Sequence, residues 1–114
     1  MERLHAEARI IAPSILAYEV ANVVHVKRPK AFGGDLSSRQ EFVATLLDGI
    51  ALFPPSVGAM SEISALAEME KLSVYDASFL ALAASEDAEL MTEDEALAKA
   101  AATRLGKARV LRVA

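Results

Sequence analysis

The stretch that decides the fold runs from residue 72 to residue 94 and reads LSVYDASFLALAASEDAELMTED. Residues 74–84 are almost wholly small or apolar, which predicts a helix that is hydrophobic all round and lies in the middle of a layered core. Residues 89–92 predict a short strand, and an acid follows it. A buried helix that leads directly into a short strand is typical of an α/β fold.

The same alternation continues along the chain in both directions. Short apolar or β-branched runs stopped by proline or glycine predict strands, and apolar residues at helical spacing predict helices between them. The strands are predicted at 9–12, 50–53, 89–92 and 108–113, and the helices at 2–8, 14–28, 37–49, 56–72, 74–84 and 94–103. This order predicts a three-layer α/β domain whose parallel sheet is covered by helices on both faces.

Several helix starts carry a capping pattern. In a capping box, a Ser or Thr side chain accepts from a backbone amide three residues on, and an acid or amide there reaches back. Three such pairs are found: Ser37 with Gln40, Ser73 with Asp76, and Thr92 with Glu95.

The composition limits both the domain count and the chemistry. With 114 residues, 54% of them apolar, the chain can bury an ordinary core as one domain spanning residues 1–114. The absence of cysteine excludes disulfides, thiol catalysis and cysteine-based metal sites. No segment reaches the about 20 apolar residues of a membrane helix, and the start lacks the apolar region of a secretory signal. We therefore expect a cytoplasmic protein.

The formal net charge of −4 is unevenly distributed. Residues 1–30 carry five Lys/Arg and three Asp/Glu, residues 31–98 carry two and thirteen, and residues 99–114 carry five and none. Because the acidic middle repels polyanions, a nucleic acid would have to meet the basic ends or a cation bound between them. An ordinary solvated acidic surface beside a basic C-terminal strand explains the same charges.

Three carboxylates, Glu19, Asp76 and Asp94, fall where α/β chains place working residues, near the carboxyl ends of strands or the helix starts that follow. Glu19 lies among apolar helix residues, with Asn22 one turn further on the same face. A charge on an apolar face is costly unless it has a partner or a functional role. Taken singly, Asp76 and Asp94 are more typical of helix caps, since the helix dipole favours acids there by about 0.3–1 kcal/mol. If the three converge, oxygen ligands of this kind suit Mg²⁺ or Mn²⁺.

Three segments of the chain carry a family resemblance: APSILAYEVANVV at 12–24, LSVYDASFLALA at 72–83 and AELMTEDEALA at 88–98. The combination of Tyr-Asp-Ala, a Leu-Ala-Leu-Ala helix and Thr-x-Asp is fairly specific. Together, in their order and spacing, the segments resemble the PIN domain, and specifically the VapC-type ribonuclease toxins.

The resemblance implies an activity, a site and partners. The family hydrolyses RNA phosphodiester bonds with carboxylate-bound Mg²⁺ or Mn²⁺, which activates a water and leaves 5′-phosphate ends. Glu19, Asp76 and Asp94 would be the second, third and fourth acids of the metal site, supported by Asn22 and Thr92. The chain would be the toxin of a toxin–antitoxin pair, with an RNA substrate, a cognate antitoxin protein and a homodimeric assembly. The cations expected to steer RNA are Lys27, Arg28, Lys30, Lys99 and Arg104.

The chain departs from the family at its start. PIN domains begin with a strand that ends in the first acid and lies at the centre of the sheet, in the order 3-2-1-4-5. We expect this strand to be missing because the start is misassigned, because the chain is an N-terminally truncated form, or because another subunit supplies the missing part. The strands at 9–12 and 89–92 would then each have an unpaired edge. Those strands would close up on each other or be covered by another copy, and catalysis would be impaired. The alternative is a catalytically inert PIN-like module for protein interaction.

Overall fold

The structure, a computed structural model, describes residues 9–27 and 35–112. Its strands are β1 (Ile10–Pro13), β2 (Ile50–Phe53), β3 (Leu90–Thr92) and β4 (Val110–Arg112), and its helices are α1 (Ile15–Lys27), α2 (Leu36–Leu47), α3 (Val57–Glu70), α4 (Val74–Ser85) and α5 (Glu95–Leu105). The predicted α/β class is confirmed. The helix predicted at residues 2–8 lies outside the described residues.

The chain divides into two compact units, Met1–Pro54 and Pro55–Ala114. In the first unit, β1 and β2 are parallel neighbours, paired from Ile10 with Ile50 to Pro13 with Phe53. The strand β2 ends where it does because two prolines follow Phe53, and proline has no amide hydrogen to continue a ladder. The helices α1 and α2 pack against each other within this unit.

The second unit holds the larger core. The strands β3 and β4 are parallel, with Leu90 opposite Val110 and Thr92 opposite Arg112. The helices α4 and α5 both pack against β3, and Leu80 of α4 is only 1% exposed. The main buried cluster contains Leu80, Ala83, Leu90, Leu97, Ala100 and Ala101. A smaller cluster that joins α3 to α4 contains Ile63, Ala67 and Ala77.

The strands form two two-stranded parallel sheets, one in each unit, where the sequence predicts one sheet. Within the described residues, β1 therefore has β2 as its one strand partner, and β3 has β4. The missing central strand stays a prediction. Parallel pairing is confirmed in both sheets.

The helix α4 is less enclosed than its apolar sequence predicts. Its buried residues, Ala77, Leu80 and Ala83, repeat every three residues and form one face. Val74 and Tyr75 in its first turn are 41% and 59% exposed. A helix made of small and apolar residues thus packs on one side, and its amino-terminal turn lies at the surface.

Two of the three predicted capping boxes are wrong about which residue caps the helix. The helix α2 is capped by Asp35, whose carboxylate accepts from Ser38 N at 2.8 Å and Ser38 Oγ at 3.1 Å, so the cap precedes Ser37. Likewise α5 is capped by Asp94, and Thr92 lies before the cap. In both cases the aspartate directly before the first helical residue has the extended backbone and the short side chain that a cap requires.

The bonds to Ser38 have an electrostatic consequence for Asp35. The backbone amide of Ser38, and next its hydroxyl, donate to the ionised carboxylate, which holds the pKa of Asp35 below its ordinary value of 3.8. Burial opposes this shift weakly. The carboxylate is therefore a better cap when it is charged.

Candidate functional site

Asp94 lies in the turn between β3 and α5. Its Oδ2 accepts a hydrogen bond from Leu97 N at 2.7 Å, and its own backbone amide donates to Thr92 Oγ1 at 3.0 Å. The first bond satisfies an amide of the first helical turn that has no partner within the helix. No partner for Oδ1 is found among the residues that the structure describes. Asp94 is thus a helix cap with one oxygen uncommitted.

Asp76 lies in the first turn of α4. Its backbone amide donates to Ser73 Oγ at 3.0 Å, so the serine caps the helix as predicted. The Asp76 side chain is half-buried, and it has no hydrogen-bond or ion-pair partner in the described part of the chain. The reciprocal bond of a capping box is therefore missing, and the carboxylate is left available to a ligand.

The topology of the second unit brings both Asp76 and Asp94 to the carboxyl end of β3. A connection of only four residues joins α4 to β3, so α4 runs back along the strand and its amino terminus lies at the carboxyl end of β3. Leu80, one turn after Asp76, and Leu97, three residues after Asp94, belong to one buried cluster. Both acids thus lie within about one helical turn of a shared core.

Glu19 and Asn22 lie on α1 in the first unit. Both side chains are exposed, and their spacing of three residues places them on one helix face. Glu19 has no side-chain partner among residues 9–27 and 35–112. The buried side of α1 is marked by Val24, so Glu19 does not lie on a buried face as its apolar neighbours suggested.

The carboxylates can be compared with what a divalent metal requires. Within the described ranges, no group of three or more His, Asp or Glu residues could hold a metal ion. Asp76 and the free oxygen of Asp94 are hard anionic oxygen donors, which is the chemistry that Mg²⁺ and Mn²⁺ prefer. The donor type therefore fits such an ion, and the convergence of Glu19 with the two aspartates stays a prediction.

The predicted RNA-contacting cations differ in their surroundings. Lys27 ends α1 and Lys99 lies on α5, and both are exposed. Arg104 forms an ion pair with Glu70 of α3, with Nε and Oε2 3.2 Å apart. That pair offsets part of its charge, so Arg104 has a structural role that the sequence did not reveal. Arg28 and Lys30 lie outside the described residues.

Two arginines of the second unit make contacts that the sequence did not predict. Arg109 donates to Ala88 O at 2.6 Å and pairs with Asp87 Oδ1 at 2.9 Å, which ties the connection between α4 and β3 to the turn before β4. Arg112 donates to Glu93 O at 3.3 Å, next to Asp94. The alternation of Val110 and Arg112 with Leu111 predicted the strand, but it carried no signal for these backbone contacts.

Comparison with known proteins gives one match. The family model described as PIN domain matches residues 1–103, which is most of the chain. No curated protein and no solved structure matches the chain significantly. None of the described helices is long and apolar enough to cross a membrane.

Proposed function

Because the chain belongs to the PIN-domain family, whose fold is of the nuclease type, we propose that it is a divalent-metal-dependent endoribonuclease. The observation that carries this proposal is the placement of Asp76 and Asp94 at the carboxyl end of β3, in the chain segment that the family model covers. The carboxyl ends of parallel strands are where α/β folds bind ligands. Neither Asp76 nor Asp94 Oδ1 has a protein partner in the described residues.

Asp76 and Asp94 are the residues that would hold Mg²⁺ or Mn²⁺, with Glu19 as a third ligand and Asn22 beside it. Such an ion, when bound, lowers the pKa of a water and stabilises the charge that develops on phosphorus oxygens. Thr92 holds the backbone of Asp94, and Leu97 N holds Oδ2. These bonds fix the carboxylate before substrate arrives, which reduces the ordering that binding would otherwise require.

The proposed substrate is single-stranded RNA, and the proposed cellular role is that of a toxin paired with an antitoxin protein. The support is the resemblance of the quoted segments to VapC-type toxins, together with the basic ends of the chain. Exposed Lys27 and Lys99 would attract the phosphate backbone. Arg28 and Lys30 belong to the same proposal.

We also propose that the protein is a homodimer. Among the described residues, both strands of each two-stranded sheet have one unpaired edge, and such edges favour association. On α1, Tyr18, Val23 and Val26 are 74%, 53% and 68% exposed, which gives an apolar surface. Sedimentation is expected to show twice the chain mass of 12.1 kDa. A stable, cooperatively folding particle of one chain mass contradicts the dimer.

A second function, that of a catalytically inert interaction module, is favoured by one observation. Asp94 Oδ2 is committed to capping α5, and this role alone would explain why an aspartate stands there. The two proposals differ in what Asp76 does, because its side chain has no structural bond among the described residues. An inert module should therefore cleave no RNA, whether or not Asp76 is neutralised.

Cleavage of RNA with a matched pair of variants tests the enzyme proposal. Asp76→Asn removes a charge at the amino end of α4, and Glu86→Gln removes one at the carboxyl cap of the same helix. With Mn²⁺ and an end-labelled single-stranded RNA pool, we expect cleavage by the wild type and Glu86→Gln, and none by Asp76→Asn. Cleavage that persists in EDTA, or equal cleavage by both variants, contradicts the proposal.

A further inference from the structure

Arg112 is the last residue of β4, so it lies at the carboxyl end of the sheet, as Asp76 and Asp94 do. It lies opposite Thr92 in the parallel register, and neighbouring strands are about 4.8 Å apart. Its Nη2 donates to Glu93 O at 3.3 Å, and Thr92 Oγ1 accepts from Asp94 N at 3.0 Å. The guanidinium group is therefore tied to the turn that presents Asp94.

The charge of Arg112 is not offset by a carboxylate. Among the arginines of the second unit, Arg104 pairs with Glu70 and Arg109 pairs with Asp87. Arg112 is exposed, and in the described part of the chain its contact is a backbone carbonyl. A guanidinium has five N–H donors, and this contact uses one. Most of its donors thus remain free next to the turn that presents Asp94.

We propose that Arg112 binds a phosphate of the RNA strand next to the one that is cleaved. This inference rests on the proposed ribonuclease function and adds a positioning residue to its site. Asp76 and Asp94 repel a polyanion, so a substrate needs a cation fixed close to them. The planar guanidinium can donate two parallel bonds to a phosphate, which fixes the orientation of the strand as well as its charge.

Arg112→Gln compared with Lys107→Gln tests this role. Both variants remove one positive charge, but Lys107 lies in the 3₁₀ turn before β4, at the opposite end of that strand. The probe is a short fluorescein-labelled single-stranded RNA of mixed sequence. Anisotropy is measured with Ca²⁺ in place of Mg²⁺, and titrations run from about 50 to about 200 mM salt.

We expect Arg112→Gln to weaken RNA binding by about tenfold, because a charge-assisted bond to phosphate is lost. The slope of log K against log salt should fall by about 0.7, the value for one phosphate contact on a single strand. Lys107→Gln should weaken binding by less than about twofold, as a distant charge is screened. Arg112→Lys should keep the salt slope and recover part of the affinity.

The outcomes separate this inference from the proposed function. If wild-type protein cleaves RNA but Arg112→Gln and Lys107→Gln bind the probe equally, the role of Arg112 is overturned and the ribonuclease proposal stands. If wild-type protein neither binds nor cleaves RNA, both fall. If Arg112→Gln does not fold, Arg112→Lys decides: binding weaker than wild type by about threefold supports the two-bond contact, and wild-type binding overturns it.

Discussion

Substitution of Asp94 separates its structural role from its proposed metal-binding role. Asp94→Ala removes the acceptor of Leu97 N, a bond of 2.7 Å, and loss of such a cap typically costs about 0.5–2 kcal/mol. Leu97 is only 5% exposed, so its amide is poorly placed to bond water instead, and we expect about 1–2 kcal/mol. Asp94→Asn keeps a cap of nearly equal quality and should cost less than about 0.5 kcal/mol.

Urea unfolding followed by circular dichroism gives the stability of each variant, and electron paramagnetic resonance of free Mn²⁺ gives metal binding. Asp94→Ala should also lower the melting temperature by roughly 4 °C or more. Both variants should lose Mn²⁺ affinity, because both lose the negative charge. Glu93→Ala is the control, since its side chain caps nothing. If Asp94→Asn unfolds the protein while the folded fraction binds Mn²⁺ normally, the capping role alone explains this residue.

Three further substitutions test the packing and the charges. Leu80→Ala, at a side chain 1% exposed, should lower the free energy of unfolding by about 2–5 kcal/mol; an unchanged urea midpoint contradicts this core. The Ser38 bonds lower the pKa of Asp35, so its charge stabilises the fold above about pH 3.8 and that contribution is lost as pH falls through the lower folded value. The urea midpoint of the wild type should therefore exceed that of Asp35→Asn by the largest amount at neutral pH. A difference in midpoint that grows toward pH 3 contradicts the lowered pKa of Asp35. Arg109→Met removes the donor to Ala88 O and should lower the free energy of unfolding by about 1.5–3 kcal/mol, with faster amide exchange in the residues before β3. Unchanged amide exchange in these residues contradicts a structural role for this hydrogen bond.

The order and type of the elements could be predicted because each depends on local sequence. The strand predicted at 50–53 is confirmed. It could be predicted because a short apolar run that ends at two prolines is typical of a strand. The cap of α2 was predicted two residues late because Ser37 and Gln40 match a capping box, whereas Asp35, directly before Leu36, also fits a cap. Competition between adjacent capping residues is decided by backbone angles that the sequence does not show.

Part of the candidate site could be predicted from the order of the elements along the chain. Asp76 and Asp94 follow from the order of helix and strand, which alone brings them to the end of β3. The cap formed by Asp94 and the contact of Arg112 with Glu93 O depend on side-chain geometry. The division of the strands into two sheets depends on pairing between distant segments, and hydrophobic patterns do not specify it.

Mn²⁺ binding to the wild type and to Asp76→Asn tests the central claim most directly. Electron paramagnetic resonance counts free Mn²⁺ in each titration, with Glu86→Gln as the charge-matched control. The account predicts weak, saturable binding of Mn²⁺ to the wild type and to Glu86→Gln, and loss of at least about tenfold in affinity for Asp76→Asn, as for a removed ligand. Equal Mn²⁺ affinity of Asp76→Asn and the wild type would contradict a metal site at the carboxyl end of β3.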